Sequence, residues 1–339
     1  MSARLKITFA FALGAAATLI VAGCPVVTPP TATDPAEFTN ASQVRGGLLY
    51  DKWWSTASVT APTTDHPLWA SRPDTASNSR TGSDTWRCKE CHGWDYKGVD
   101  GAYSSGSHKT GIAGIFGTTK TAQETFDLIK TNHGFGDAGL SDADIWDLAK
   151  FVLEGQIDTD TMIDGNGMFT GDTAAGMTLY DSGIGTNTAC AGCHGSDGLT
   201  GPPGSAADYD DWVGKIANAN PWEFQHKVRF GQPNTAMPSS VTGGGSDQNV
   251  NDLGAYSQSL PTEVAMVGGD AVTGQTFYSD NNCATCHGAD ASGDIGPDLA
   301  GKAAGDILDK LDGTVSHGGG TFSGVTQQNA DDLAAWLGG

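Results

Sequence analysis

Apolar and polar positions alternate at helical spacing in several short stretches. The clearest begins at Ser141-Asp142-Ala143-Asp144, a helix-start signature, and runs through Asp147-Leu148-Ala149-Lys150-Phe151. Its Asp-Leu-x-x-aromatic ending returns at Asp252 to Tyr256 and at Asp332 to Trp336. A second pattern, Gly-x-x-x-Tyr, stands at Gly46 to Tyr50, Gly176 to Tyr180 and Gly274 to Tyr278, and predicts a short amphipathic helix each time. Between the two patterns lies a Cys-x-x-Cys-His run, so the chain reads as a degenerate threefold repeat. Each repeat opens and closes with a helix, and the predicted fold class is all-α. Gly, Asp, Pro and Thr interrupt the helical spacing near 158–170 and 261–266. The expected units are 41–160, 170–262 and 266–339. The first is enlarged by an insertion, 51–87, that holds Trp53, Trp54, Trp69 and Trp86. These tryptophans are expected to pack the insertion onto its unit, with an aromatic docking surface as the alternative.

The N terminus has a different pattern. Arg4 and Lys6 precede an apolar run from Ile7 to Ala22, too short and wrongly flanked for a spanning helix, so residues 1–23 read as a signal peptide. Leu19 to Cys24 looks like a bacterial lipobox, with Val21 where the commonest form has Leu. In that motif the cysteine becomes the new N terminus and carries lipid, which would hold the protein at a bilayer without a transmembrane helix. Residues 24–40, with prolines at 25, 29, 30 and 35, are expected to form an extended tether. The residue after Cys24 is Pro25 rather than the Asp that usually retains such lipoproteins at the inner membrane, and the resemblance implies the outer membrane.

Charge narrows the partners. The 339 residues carry 39 acidic against 18 basic side chains, a net of -21, which excludes nucleic acid and an anionic membrane face. Glycine is abundant, at 48 residues, yet nine Trp, twelve Phe and seven Tyr argue for packed units rather than disorder.

Seven cysteines carry the chemistry. Cys24 stands alone; Cys88/Cys91, Cys190/Cys193 and Cys283/Cys286 form pairs, followed at once by His92, His194 and His287. This is the attachment pattern of c-type haem. Two thiols on one helical turn form thioethers to the two vinyl groups of a porphyrin, and the adjacent histidine becomes the proximal iron ligand. Zinc would want a second ligand pair per site, and a redox dithiol does not call for the histidine. Three copies imply three covalently bound haem c groups.

At these residues the chain resembles the class I cytochrome c family, in three tandem copies. The resemblance implies a small helical bundle around each haem, its terminal helices crossing. It also implies a proline loop whose carbonyl holds the proximal histidine, matched by Gly201-Pro202 and Gly296-Pro297. The first repeat lacks that proline and keeps only Ile112-Ala113-Gly114 of the loop. Ala236-Met237-Pro238 resembles the family's distal methionine, 15 residues before Asp252 (252 − 237). The same count lands on His317 in the third repeat (332 − 317 = 15) and on His133 in the first (147 − 133 = 14). Met237, His317 and His133 are therefore the expected distal ligands. His108 is expected on the proximal side, His226 at the surface or against a haem propionate, and His66 exposed. Met162, Met168, Met177 and Met266 are assigned to packing.

The function expected is electron transfer by an exported tri-haem c-type cytochrome lipoprotein, on the periplasmic side or cell surface. Its partners would be redox proteins or an extracellular acceptor, and it would touch membrane through the lipid alone. Two alternatives stand beside this: a haem oxidoreductase or dehydrogenase subunit with one open-coordination haem, and a subunit of a cytochrome filament. No catalytic side chain outside the haem sites rises above background.

Overall fold

A computed structural model describes residues 34–200, 212–262, 269–311, 317, 322 and 325–338. Residues 1–33, with Cys24 and the expected signal peptide, lie outside the described residues, as do Gly201-Pro202 and Met266. Among the described residues the chain is helical, without a strand; two isolated bridges join Gly98 to Ala113 and Ile163 to Phe169. No described helix is long and apolar enough to cross a membrane.

The first repeat holds α1 (Ala36–Asn40), α2 (Gln43–Thr56), α3 (Cys88–His92), α4 (Ala122–Asp127) and α5 (Asp142–Lys150). The second holds α6 (Thr173–Ser182), α7 (Ala191–His194), α8 (Val213–Ala219), α9 (Pro221–Phe230) and α10 (Asp247–Ser257). The third holds α11 (Ala271–Asp280), α12 (Ala284–His287), α13 (Ala304–Leu311) and α14 (Gln327–Trp336). The closing helices α5, α10 and α14 each start in a capping box, from Ser141, Ser246 and Thr326.

One helix crossing is built three times. Gly46, Gly176 and Gly274 lie so close to the closing helix that a methyl group would overlap the carbonyls of Asp147, Asp252 and Asp332. The side chains of those aspartates accept the backbone N–H at the N-cap of the opening helix, from Ser42 (2.6 Å), Asp172 (2.8 Å) and Asp270 (2.8 Å). Four residues past each glycine, one helical turn on, the tyrosine hydroxyl donates to the carbonyl of the glycine that follows the Cys-x-x-Cys-His run. Those bonds are Tyr50 to Gly93 (2.6 Å), Tyr180 to Gly195 (2.7 Å) and Tyr278 to Gly288 (2.7 Å). The tyrosine rings lie 4.9, 5.4 and 4.6 Å from Phe151, Tyr256 and Trp336, the aromatic ends of the closing pattern.

Buried side chains gather into three apolar clusters, one around each crossing. They redraw some expected boundaries. Residues 36–40, expected in the tether, form α1, because Phe38 is buried against Trp146. The insertion does not begin at 51: α2 continues to Thr56 and carries Trp53 and Trp54 inward. With Trp69 and Trp86 these rings are buried, which is packing rather than a docking surface. Met162, Ile163 and Phe169, between the expected first and second units, are buried in the second cluster. Met168 and Met177 are exposed, against the packing role assigned to them.

The first two repeats also share a joint. Helix α9 lies against α2, and Phe230 fills the space beside Gly47. His226 on α9, expected at the surface or against a haem propionate, is fully buried between the two repeats. Its Nε2 donates to the Gly47 carbonyl (2.9 Å), which leaves Nδ1 to accept from the Tyr96 hydroxyl (2.8 Å). Burial lowers its pKa to about 3, so the ring is a neutral spacer between two repeats.

The crossing makes a paired prediction. Gly176→Ala forces α6 off α10 and is expected to cost about 3 kcal/mol, read as a lower urea midpoint. Gly305→Ala, where a methyl meets nothing within 4 Å, is expected to be neutral or to gain about 0.5 kcal/mol. Equal midpoints for the two variants would contradict the account of the crossing.

Candidate functional site

The three Cys-x-x-Cys-His runs form one-turn helices, α3, α7 and α12, which put both thiols of a pair on one turn. Each ends at a glycine with positive φ, 78° at Gly93, 74° at Gly195 and 79° at Gly288, where the chain reverses behind the histidine. The six cysteines are unbridged. Burial pushes the Cys88 and Cys91 thiols up to about 12 and Cys190 up to about 11. Among the described residues no three His, Cys, Asp or Glu side chains converge as a metal cage.

In the first repeat the His92 Nδ1–H donates to the Ala113 carbonyl at 2.9 Å. This supplies the acceptor that the missing proline left open. Ala113 is held by its bridge to Gly98 and by the Val99 N–H to Ile112 carbonyl bond (2.8 Å). The His133 Nδ1–H donates to the Leu128 carbonyl at 3.1 Å. Each imidazole therefore keeps a bare Nε2. The two ring centres are 6.3 Å apart. A metal–nitrogen bond of about 2 Å plus about 1.1 Å from nitrogen to ring centre, taken twice, gives about 6 Å, so one iron fits between them. Burial lowers His92 to about 4, with the Ala113 bond opposing the shift, so the ring is neutral and its lone pair available at neutral pH. A cavity of about 380 Å³ adjoins the pair, lined by Cys88, His92 and His133 with apolar walls such as Ile112, Leu128 and Val152. This lining would suit a flat apolar macrocycle held by Cys88, with Cys91 on the same helical turn just outside the cavity wall.

The third repeat repeats this arrangement with the expected proline. The His287 Nδ1–H donates to the Pro297 carbonyl at 2.8 Å. His317 faces His287 with ring centres 5.9 Å apart and planes 8° from parallel, and Phe322 lies 6.1 Å beyond. In the second repeat burial lowers the His194 pKa, and Met237 packs on the same cluster as Cys190 and Ala191. Pro202, the acceptor expected for His194, lies outside the described residues.

His108 sits apart from the facing pairs, with Nδ1 3.2 Å from the Glu90 carboxylate and its ring against Tyr103. His66 is not exposed: it is buried, and its Nε2 lies 3.0 Å from the His133 carbonyl. No local pattern marks His66 or His226, since their partners stand 67 and 179 residues away along the chain.

Comparison with known families bears on the second and third repeats. Residues 171–256 match the family described as cytochrome c oxidase, cbb3-type, subunit III, and residues 271–338 match cytochrome c. These spans contain two of the Cys-x-x-Cys-His runs with Met237 and His317. They support a cytochrome c assignment, and with it covalent haem c and electron transfer to redox protein partners. A solved structure, thiosulfate dehydrogenase (TsdBA) from Marichromatium purpuratum, is 17% identical over 91% of this chain and 71% of its own. Its TM-score of 0.20 carries no argument. A search of curated proteins gives no significant match.

The first cysteine turn is anchored by charge. Arg87, next to Cys88, pairs with the buried carboxylate of Asp51, which also takes Lys227 of α9 at 2.5 Å. Burial alone would raise the Asp51 pKa, but Lys227 and Arg87 outweigh it and hold it at about 2. A depressed carboxyl stabilises the fold above its unfolded value, near 4, and loses that contribution as pH falls towards 2. Asp51→Asn removes the buried carboxylate that neutralises Arg87 and Lys227, leaving Lys227 with Glu223 at 3.8 Å and Arg87 with the residue 51 backbone carbonyl, and is expected to cost about 3 kcal/mol at pH 7. The gap from wild type should shrink between pH 4 and pH 2 in urea titrations, whereas a gap independent of pH would contradict the ion-pair account.

Proposed function

We propose that the chain is an exported tri-haem c-type cytochrome lipoprotein that carries electrons between redox partners. The observation that carries this reading is the pair of facing imidazoles, His92 with His133 and His287 with His317, each pair beside a Cys-x-x-Cys turn. The units 41–160, 170–262 and 266–339, widened to take α1 into the first and Met162 to Phe169 into the second, are read as three tandem cytochrome units, a reading that the threefold crossing and its apolar clusters support. When bound, haem c supplies a one-electron ferric–ferrous couple.

The side chains have distinct tasks. Cys88, Cys91, Cys190, Cys193, Cys283 and Cys286 make the thioethers. His92, His194 and His287 are the proximal ligands; the Ala113 and Pro297 carbonyls orient the first and third and increase their donation to iron. His133, Met237 and His317 fill the distal positions. The facing imidazoles would hold a bound iron from two sides, so that a change in its charge would need little rearrangement of these side chains, which suits a carrier. Met237 in place of a second imidazole makes the second site the highest in potential. A haem oxidoreductase needs an open distal position, and the facing histidines oppose that at two of the three sites.

Cys24 carries the lipid, the chain from Cys24 to Pro35, before α1, forms the tether, and the protein faces the periplasm or the cell exterior, with the outer membrane favoured. The acidic surface, net -21 over the chain, steers a positively charged docking face on a redox protein or extracellular acceptor.

The ligand set is tested by substitution in the haem-loaded protein. Met237→Ala should abolish the thioether–iron charge-transfer band and remove the highest-potential step of a redox titration. His133→Ala and His317→Ala should each turn one low-potential haem high-spin and leave the Met237 site unchanged. A wild-type protein with a high-spin ferric signal and rapid carbon monoxide binding on reduction would replace the carrier with the oxidoreductase. The anchor is tested separately: Cys24→Ser should move the protein from the membrane to the soluble fraction, and unchanged membrane retention would overturn lipidation.

A further inference from the structure

We propose that His66 is a positioning residue that holds the distal imidazole of the first site, so that residues 57–87 act as a strap across His133. The proposal rests on His133 being an iron ligand, and it adds what keeps that ligand in place.

Hydrogen bonding assigns the His66 tautomer. The Leu68 backbone N–H donates to His66 Nδ1 at 3.1 Å, so Nδ1 is the acceptor and the ring proton sits on Nε2. That Nε2–H then donates to the His133 carbonyl at 3.0 Å. His133 is consequently held at both ends. Its backbone N–H and its ring Nδ1–H both donate to the Leu128 carbonyl, at 3.0 and 3.1 Å, while its own carbonyl is taken by His66.

The strap is itself anchored. The His66 N–H donates to Thr85 Oγ1 (2.8 Å), and the His66 ring meets the edge of Trp86 at 4.4 Å. Trp86 donates through Nε1 to the Thr64 carbonyl (2.9 Å), and its carbonyl accepts Nε1–H of Trp53 on α2 (3.1 Å). Phe135 completes the contact, lying 5.7 Å from His66 and nearly parallel to the His133 ring. The distal imidazole is thus tied through His66 and Trp86 to the opening helix. The strap is particular to this repeat. From the opening tyrosine to the first cysteine the chain runs 38 residues here (88 − 50), against 10 (190 − 180) and 5 (283 − 278) in the others.

A bond that orients a ligand should show in how readily that ligand leaves. The test uses the full haem-loaded chain, with His133→Ala identifying the first haem in the ferric spin-state spectrum and in carbon monoxide binding after reduction. His66→Phe keeps a ring against Trp86 but has no donor. It is expected to speed carbon monoxide binding at the first haem by about five- to tenfold, the worth of one hydrogen bond, and to leave the other two haems unchanged. His66→Gln restores an N–H donor and should bind within about twofold of wild type. His66→Leu, which has no N–H, is a second donor-free variant should the phenylalanine protein fail to load haem, and it should behave as His66→Phe does. Wild-type binding in both donor-free variants, or a glutamine variant no better than they are, would overturn the positioning role. If His133→Ala alters no haem, the ligand assignment itself fails and the strap proposal falls with it.

Discussion

The close approach of two helices is the constraint from which the rest of each repeat follows. A glycine on the opening helix lets the backbones touch, and an aspartate on the closing helix caps the opening helix's first turn. With that register fixed, the tyrosine one turn later donates each time to the carbonyl of the glycine ending the cysteine–histidine turn. Helix packing and haem-site placement are therefore the same interaction. A larger residue at Gly46, Gly176 or Gly274 would disturb both together.

Within that frame the sites reach one chemical result by different means. A proximal imidazole needs a fixed acceptor on Nδ1 so that Nε2 is bare and aimed. The third repeat supplies the Pro297 carbonyl, in a loop that proline stiffens. The first supplies the Ala113 carbonyl, stiffened instead by an isolated bridge to Gly98. In the same repeat Asp51, paired with Arg87, also takes Lys227 of α9, and the Gly47 carbonyl accepts from His226 of α9, which joins it to the second. Neutral buried histidine and a compensated carboxylate let the joint be polar without an unpaired charge.

Much of this was legible in the sequence, for physical reasons that also explain the failures. Cys-x-x-Cys-His, Gly-x-x-x-Tyr and Asp-Leu-x-x-aromatic are contacts within one or two helical turns, so spacing alone exposes them. The offsets of 14 and 15 residues point to His133 and His317, and the structure sets these opposite His92 and His287, because each stands a short and nearly constant distance before its closing helix. The burial of His66, and of His226 where a surface place was one of two expectations, comes with partners far along the chain, and a polar residue with a distant partner looks like a surface residue. Residues 36–40 were assigned to a tether on their proline-rich context, which does not register that Phe38 finds Trp146. Met168 and Met177 were assigned inward on hydrophobicity alone, although isolated apolar side chains are common at protein surfaces.

The central claim is the ligand set: two irons between paired histidines and one between histidine and methionine. Iron X-ray absorption on the haem-loaded protein measures it most directly, because thioethers to the porphyrin vinyl groups lie beyond the first coordination shell. The account predicts a nitrogen-dominated first shell with about one sulfur for every three irons. A first shell without sulfur, or one with a sulfur on every iron, would contradict it.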